Sequence, residues 1–220
     1  HLFFRRPKLP NINTYRWAEF VGFLKHHGDL SDADRWRFIH RIVAVGQLPP
    51  TDTYFRAKKH PNFHLHPASP WNSVEELGDH ARVITPHGTH DLDFLIIGTG
   101  FRTNLHQRPE WANLCDHVAL WQDRYTPPAE LSQADLGRHP YLGPNFELTE
   151  REPGSAPWLH KVFNYTFGCL VSLGFGGASI SGMKYGQQRL IDGITRRLYI
   201  EDAAQHFESL EAFDLEEFTP

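Results

Sequence analysis

The chain has 220 residues, a formal net charge of −4 with histidine neutral, 40% hydrophobic residues and 22% charged residues. That balance fits a globular protein with one large or two small domains and a real core. It argues against the basic footprint of a nucleic-acid binder, and no apolar run approaches the roughly 20 residues of a membrane span. The amino end, HLFFRRPKLP, has no apolar region long enough for a signal peptide. Two cysteines, Cys115 and Cys169, suggest reduced thiols in a cytoplasmic protein more than a disulfide framework. The only methionine is Met183, and His1 opens directly into Leu2-Phe3-Phe4. This pattern leads to the expectation of a carboxyl-terminal piece whose amino-terminal part is missing.

Leu2 to Phe4 reads as a short strand ending on Arg5-Arg6, followed by a turn at Pro7 and Pro10. Tyr15 to His27 reads as a helix, with Trp17, Phe20, Val21 and Leu24 at helical spacing and Gly28 as its C′ residue. Ser31 with Asp34 three positions on resembles a capping box. The helix behind it shows Trp36, Ile39, Ile42 and Val43 on one face and ends at Gly46, so the two helices are expected to form a hairpin. The aromatic stripe they carry reads as ordinary core packing.

A short helix or turn is expected at Thr53 to Lys59, then strands at Phe63 to Leu65 and Ala81 to Thr85. A turn at Pro86 to Thr89 leads into Phe94 to Ile97, read as a buried strand of a mostly parallel sheet that stops on Gly98-Thr99-Gly100. From Arg102 to His160 the periodicity fades, with one short helix near Asn113 to Trp121; a long irregular stretch in a compact domain is usually functional. Val162 to Tyr165 and Leu170 to Leu173 read as strands. A glycine-rich turn, Gly174 to Gly182, then opens a helix with Leu190, Ile191, Ile194 and Leu198 on its apolar face, and the tail Glu201 to Glu217 holds one more amphipathic helix.

Neither GxGxxG nor GxxxxGK[ST] occurs, and no GxSxG, HExxH or CxxC is present. Gly174 to Gly182 has glycines for close approach and a helix start whose amides favour phosphate, but a plain strand-to-helix turn capped by Ser179 or Ser181 accounts for it equally well. Arg5-Arg6 could hold a phosphate bidentately or stand as a solvated pair at a strand end. The groups His60, His64 and His66, and His87 and His90, match no known ligand spacing; they read as surface or loop residues, and no metal is expected. Cys169 lies in an apolar run and reads as inert core.

Asp93-Phe-Leu-Ile-Ile97-Gly98-Thr99-Gly100-Phe101 resembles the Asp-x-x-x-(Leu/Phe)-Ala-Thr-Gly-Tyr motif of flavin-dependent monooxygenases. The relatives meant are the flavin-containing monooxygenases, the Baeyer–Villiger enzymes and the lysine/ornithine N-hydroxylases. Gly98 stands here for the alanine and Phe101 for the tyrosine. The resemblance implies an α/β fold, part of a two-dinucleotide-binding-domain (Rossmann-like) flavoprotein lacking the first βαβ of each domain. It implies that residues 1–97 are the remainder of an NADP-binding domain with the helical hairpin. Residues 98–220 would then be the later part of an FAD-binding domain with an irregular substrate-side segment.

By the same resemblance Arg5 and Arg6 would read the 2′-phosphate of NADP. Gly98, Thr99 and Gly100 would mark the crossover between domains, and Gly176, Gly177, Ala178, Ser179 and Ile180 would touch the flavin and its pyrophosphate. The implied cofactors are FAD and NADP, the implied partner is a small-molecule substrate, and the implied chemistry is FAD reduction by NADPH followed by oxygen insertion. No catalytic residue is assigned. Two rivals stay open: a flavin- and pyridine-nucleotide-dependent reductase without oxygenation, and a non-catalytic binding module if the chain is complete.

Overall fold

A computed structural model describes residues 1–218. In chain order the elements are β1 (Leu2–Phe3), α1 (Thr14–Trp17), α2 (Val21–His26), α3 (Asp32–Val45), α4 (Thr51–Lys58), β2 (Leu65–His66), β3 (Ser73–Glu76), β4 (Ala81–Thr85) and β5 (Gly88–Leu92). These are followed by α5 (Trp121–Arg124), α6 (Ala134–Gly137), α7 (Leu170–Leu173), α8 (Ile180–Glu201) and α9 (Ala203–Glu211). The protein thus mixes helix and strand, and among the described residues the only parallel pairing is β1 with β2. The chain divides into two compact units, one of residues 1–17 and 41–102, the other of residues 18–40 and 103–220. Segment 18–40, expected with the amino-terminal domain, packs within the second unit.

In the first unit β3, β4 and β5 form an antiparallel sheet in that order. Its central strand, β4, is placed as its Val-Ile pattern predicts, and it buries Val83 and Thr85. The β4–β5 hairpin closes over Pro86-His87, where the Thr85 hydroxyl donates to the Gly88 carbonyl at 3.0 Å and accepts from the His87 amide at 3.2 Å. The strand expected at Phe94 to Ile97 is not formed. The ladder ends at Leu92, and Phe94, Ile96 and Ile97 are 89%, 94% and 70% exposed. A buried parallel strand needs a neighbour on each edge and cover on both faces, and the described residues supply neither.

The helix expected from Tyr15 to His27 is replaced by α1, in the first unit, and, in the second, an extended Phe20 (φ −85°, ψ 152°) followed by α2. Gly28 is not a left-handed cap; a Cβ there would meet Leu173, so the glycine serves close packing. Helix α2 packs chiefly on α8, while Phe23 also reaches Phe38 of α3 at 6.1 Å, so the expected hairpin is only partial. Helix α3 starts where Ser31 predicts, with the Asp34 amide donating to the Ser31 hydroxyl at 3.2 Å, and stops at Gly46, which takes φ +79°.

Residues 103–160 are built of single turns joined by isolated bridges, such as Leu120 with Pro140 and Leu142 with Leu148. The helix expected at Asn113 to Trp121 forms later, as α5. Strand pairing around Phe163 reduces to one bridge with Glu147, and Leu170–Leu173 is one buried turn of helix instead of a strand. A four-residue apolar run suits either state, and only its neighbours decide.

The core gathers Val118, Leu142, Phe146, Leu148, Leu159 and Leu173 with others of this stretch. Ser172, fully buried on α7, ties it together: its hydroxyl accepts from Trp121 Nε1 at 2.8 Å and from the Leu142 amide at 3.0 Å, and donates to the Pro140 carbonyl at 3.2 Å. Beside it Arg35 pairs with Asp32 and lies 5.1 Å from the Trp121 ring centre.

The inward face of α8 matches the expected one only in part. Leu190 packs against the core and Ile194 is half-buried, as expected, but the fully buried residues are Gly182, Gly186 and Gly193, and Ile191 and Leu198 are more than half exposed. An added methyl at Gly182 would fall on the Phe175 carbonyl, and one at Gly186 on the Gly176 carbonyl. Small residues at helical spacing here let backbone meet backbone. Helix α9 forms as expected and leaves Phe207 and Leu210 exposed. Among the described residues no helix is long and apolar enough to cross a membrane.

Candidate functional site

The expected cofactor contacts fall into both units. Arg5, Arg6 and Gly98-Thr99-Gly100 belong to the first, and Gly176-Gly177-Ala178-Ser179-Ile180 to the second. Arg5 is exposed at the end of β1. Arg6 is turned to the end of α3, where its guanidinium donates to the Val45 carbonyl and, at 3.4 Å, to the Val43 carbonyl. A cation there satisfies the last carbonyls of a helix and its negative end. Nothing lies within 4 Å of a Cβ built on Gly98 or Gly100, and Gly100 takes φ +89°. Gly98–Gly100, an irregular segment with no turn, therefore has open space for another backbone or a ligand.

The second glycine-rich segment, a turn, runs from α7 into α8. Gly174 takes φ +64° against the His27 side chain. A Cβ on Gly176 would meet Phe146, and one on Gly177 would meet Cys169 Sγ, each at 3.1 Å, so these glycines are spacers packed against the core. Ser179, extended at φ −147° and ψ 154°, caps α8 by accepting from the Gly182 amide at 3.1 Å. Ile180, the first helical residue, is 90% exposed. What this turn offers a ligand is the amide end of a 22-residue helix, with its partial positive charge. Those amides fit an anionic group such as a dinucleotide phosphate, whereas the packed Gly176 and Gly177 leave no room for close approach.

Two buried histidines stand near these elements. Burial pushes His27 down to about 4; its Nε2–H donates to the Val171 carbonyl at 3.3 Å. Burial likewise pushes His139 down to about 4, with its Nδ1–H donating to the Gly168 carbonyl at 3.2 Å. Both are neutral packing residues near neutral pH. Cys169 is fully buried beside Gly177 and its thiol is pushed up to about 12 by burial, so it is inert core, as its apolar surroundings in sequence predict.

Two groupings escape sequence reasoning. Cys115 Sγ lies 3.2 Å from His106 Nδ1, with Asp116 beside it. In the first unit His1, His66 and His90 bring one nitrogen each within 4.8 Å of one another. His64 and His66 stand out in sequence as alternating residues, but nothing local signals that positions 1 and 90 join them. His60 and His87 lie outside the group; the His87 ring instead bonds the Ala68 carbonyl at 3.1 Å.

No family model matches the chain. The chain is 37% identical over 217 residues to an FAD-dependent urate hydroxylase of Xanthomonas campestris pv. campestris, an alignment covering 99% of this chain. The chain spans about half of that relative's length, 46%. Over nearly all its residues, then, the chain is similar to part of a flavin-dependent, monooxygenase-like oxidoreductase, as the Asp93–Phe101 motif implied.

Proposed function

We propose that this chain is part of an FAD- and NADPH-dependent hydroxylase. The observation that carries the proposal is the 37% identity extending over 99% of the chain. Bound FAD would supply the redox chemistry, with NADPH giving two electrons, one oxygen atom of O₂ entering the substrate and the other leaving as water. The chain's own residues bind and orient. The α8 amides, with Ser179 capping the turn and Gly176, Gly177 and Ala178 shaping it, hold a phosphate of FAD at Ile180. The open Gly98-Thr99-Gly100 segment takes a backbone or cofactor at close range. Arg5 reads the 2′-phosphate of NADP, with Arg6 tethered beside it by the end of α3.

In this reading residues 1–97 serve the NADP side and residues 98–220 the FAD side of a pair of Rossmann-like domains. The irregular stretch of 102–160 forms part of the substrate wall, and the two free buried cysteines suit a reducing cytoplasm. Neither phosphate-binding glycine fingerprint occurs in these residues, so polypeptide outside them supplies both loops. Urate, the substrate in the relative's name, is the first compound to test.

The decisive experiment uses the product of the full reading frame. NADPH oxidation that needs both urate and O₂, with a product one oxygen heavier by mass spectrometry, supports the proposal. NADPH oxidation that proceeds without O₂ would instead mark a reductase. A product that retains no flavin would overturn both readings.

A further inference from the structure

The structure assigns a divalent transition-metal site, of zinc class, to His1, His66 and His90. The backbone brings them together. Strand β1 pairs in parallel with β2 in the register Leu2 with Leu65 and Phe3 with His66, which sets His1 beside His64. His90 comes from the middle of β5, so the three ligands join the two small sheets of the first unit. One ring nitrogen from each lies within 4.8 Å of the others. The His1 Nδ1 to His66 Nε2 distance is 2.8 Å, a hydrogen bond while no metal is bound.

The rings are held in place. His66 stacks on Phe3 at 4.4 Å and 14°, His90 stands edge-on to Phe3 at 5.0 Å, and Trp71 backs Phe3 at 6.0 Å. His64 lies next to the group, its ring 4.9 Å from that of His1. Tetrahedral zinc with bonds of about 2.0–2.1 Å needs its nitrogens about 3.3 Å apart. Closing from the present spacing therefore takes shifts of no more than about 1.5 Å, in an exposed His1 and a half-buried His66 and His90. Neutral imidazole nitrogens suit zinc, copper or nickel more than magnesium or calcium. Three protein ligands leave a fourth position for water or for His64. The ion would then pin β1 and β2 to the β3–β5 sheet.

The test is a zinc titration of chelator-stripped protein against a chromophoric indicator, with cobalt as a spectroscopic probe. One equivalent of zinc is expected, together with visible cobalt bands of tetrahedral strength. His66→Ala and His90→Ala should each weaken binding roughly tenfold or more and bleach those bands, whereas His60→Ala should change neither. Zinc should raise the thermal midpoint of the parent protein and slow hydrogen exchange at Leu2 and Phe3, and do neither in the two variants. Circular dichroism in chelator identifies a variant that fails to fold, and His66→Gln and His90→Gln then take its place. Failure to bind one equivalent overturns the assignment. So does equal binding by parent, His66→Ala and His90→Ala, which would mark an adventitious ion only.

Discussion

The two glycine-rich segments, Gly98-Thr99-Gly100 and Gly174–Gly182, are alike in composition and opposite in surroundings. No atom comes within 4 Å of a side chain added at Gly98 or Gly100. At the second segment such an atom would strike His27, Phe146, Cys169 or the Phe175 carbonyl. Glycine in open space keeps a place for something else to approach, while glycine in packed space lets two parts of one core touch. The segments before them differ in the same way. Phe94, Ile96 and Ile97 are exposed, whereas Leu170, Val171 and Leu173 are at most 4% exposed. Hydrophobicity alone does not separate these cases, because burial depends on what else the chain brings.

The contrast can be broken most severely with acid. His27 and His139 support the packed turn and its approach as neutral groups, each with a folded pKa of about 4. An unfolded histidine titrates near 6.5, so between these values the unfolded chain binds protons that the folded one does not. Stability is therefore full above about pH 6.5 and falls as pH drops toward 4, by roughly 2 kcal/mol per histidine between pH 7 and pH 5. Urea midpoints across that range should fall steeply for the parent protein and less steeply for His27→Gln. A flat profile would mean that neither imidazole is buried neutral.

A pair of alanine substitutions sharpens the comparison next. Gly186→Ala adds a methyl against the Gly176 carbonyl and should cost about 2–3 kcal/mol by overpacking, against the gain of about 1 kcal/mol that alanine brings to an open helix. Gly98→Ala should stay within about 0.5 kcal/mol. Chemical denaturation of both variants decides it, and equal costs would erase the distinction between the segments. A smaller loss than that at Gly186 tests the helix entrance: Ser179→Ala removes the cap on the Gly182 amide and should cost about 1 kcal/mol, with Ser179→Asp restoring most of it. Loss of helical ellipticity with the alanine variant but not the aspartate variant is the expected readout.

Signals confined to a few neighbouring residues were legible. Ser31 with Asp34 and Gly46 bound α3, and the capping of α8 by Ser179 is visible in the residues around it. The valine and isoleucine of β4 sit where alternation and a Pro-His turn predict. The candidate contacts were legible as residue types but not as environments. Arg6 is held by the α3 carbonyls, and Gly176 and Gly177 are wedged against Phe146 and Cys169. No spacing announced either fact, since each partner is remote in sequence.

Local chemistry therefore determines the caps that bound α3 and α8, which runs are apolar, and, through the Asp93–Phe101 motif, the resemblance to flavin-dependent oxidoreductases. Caps, alternation and motif identity act over a handful of adjacent residues, so they survive without knowledge of the fold. Tertiary structure decides which apolar run is buried, which glycine is a spacer and which is open, and that His1, His66 and His90 meet. Those outcomes depend on residues tens of positions apart arriving at one place, and only the folded backbone brings them there.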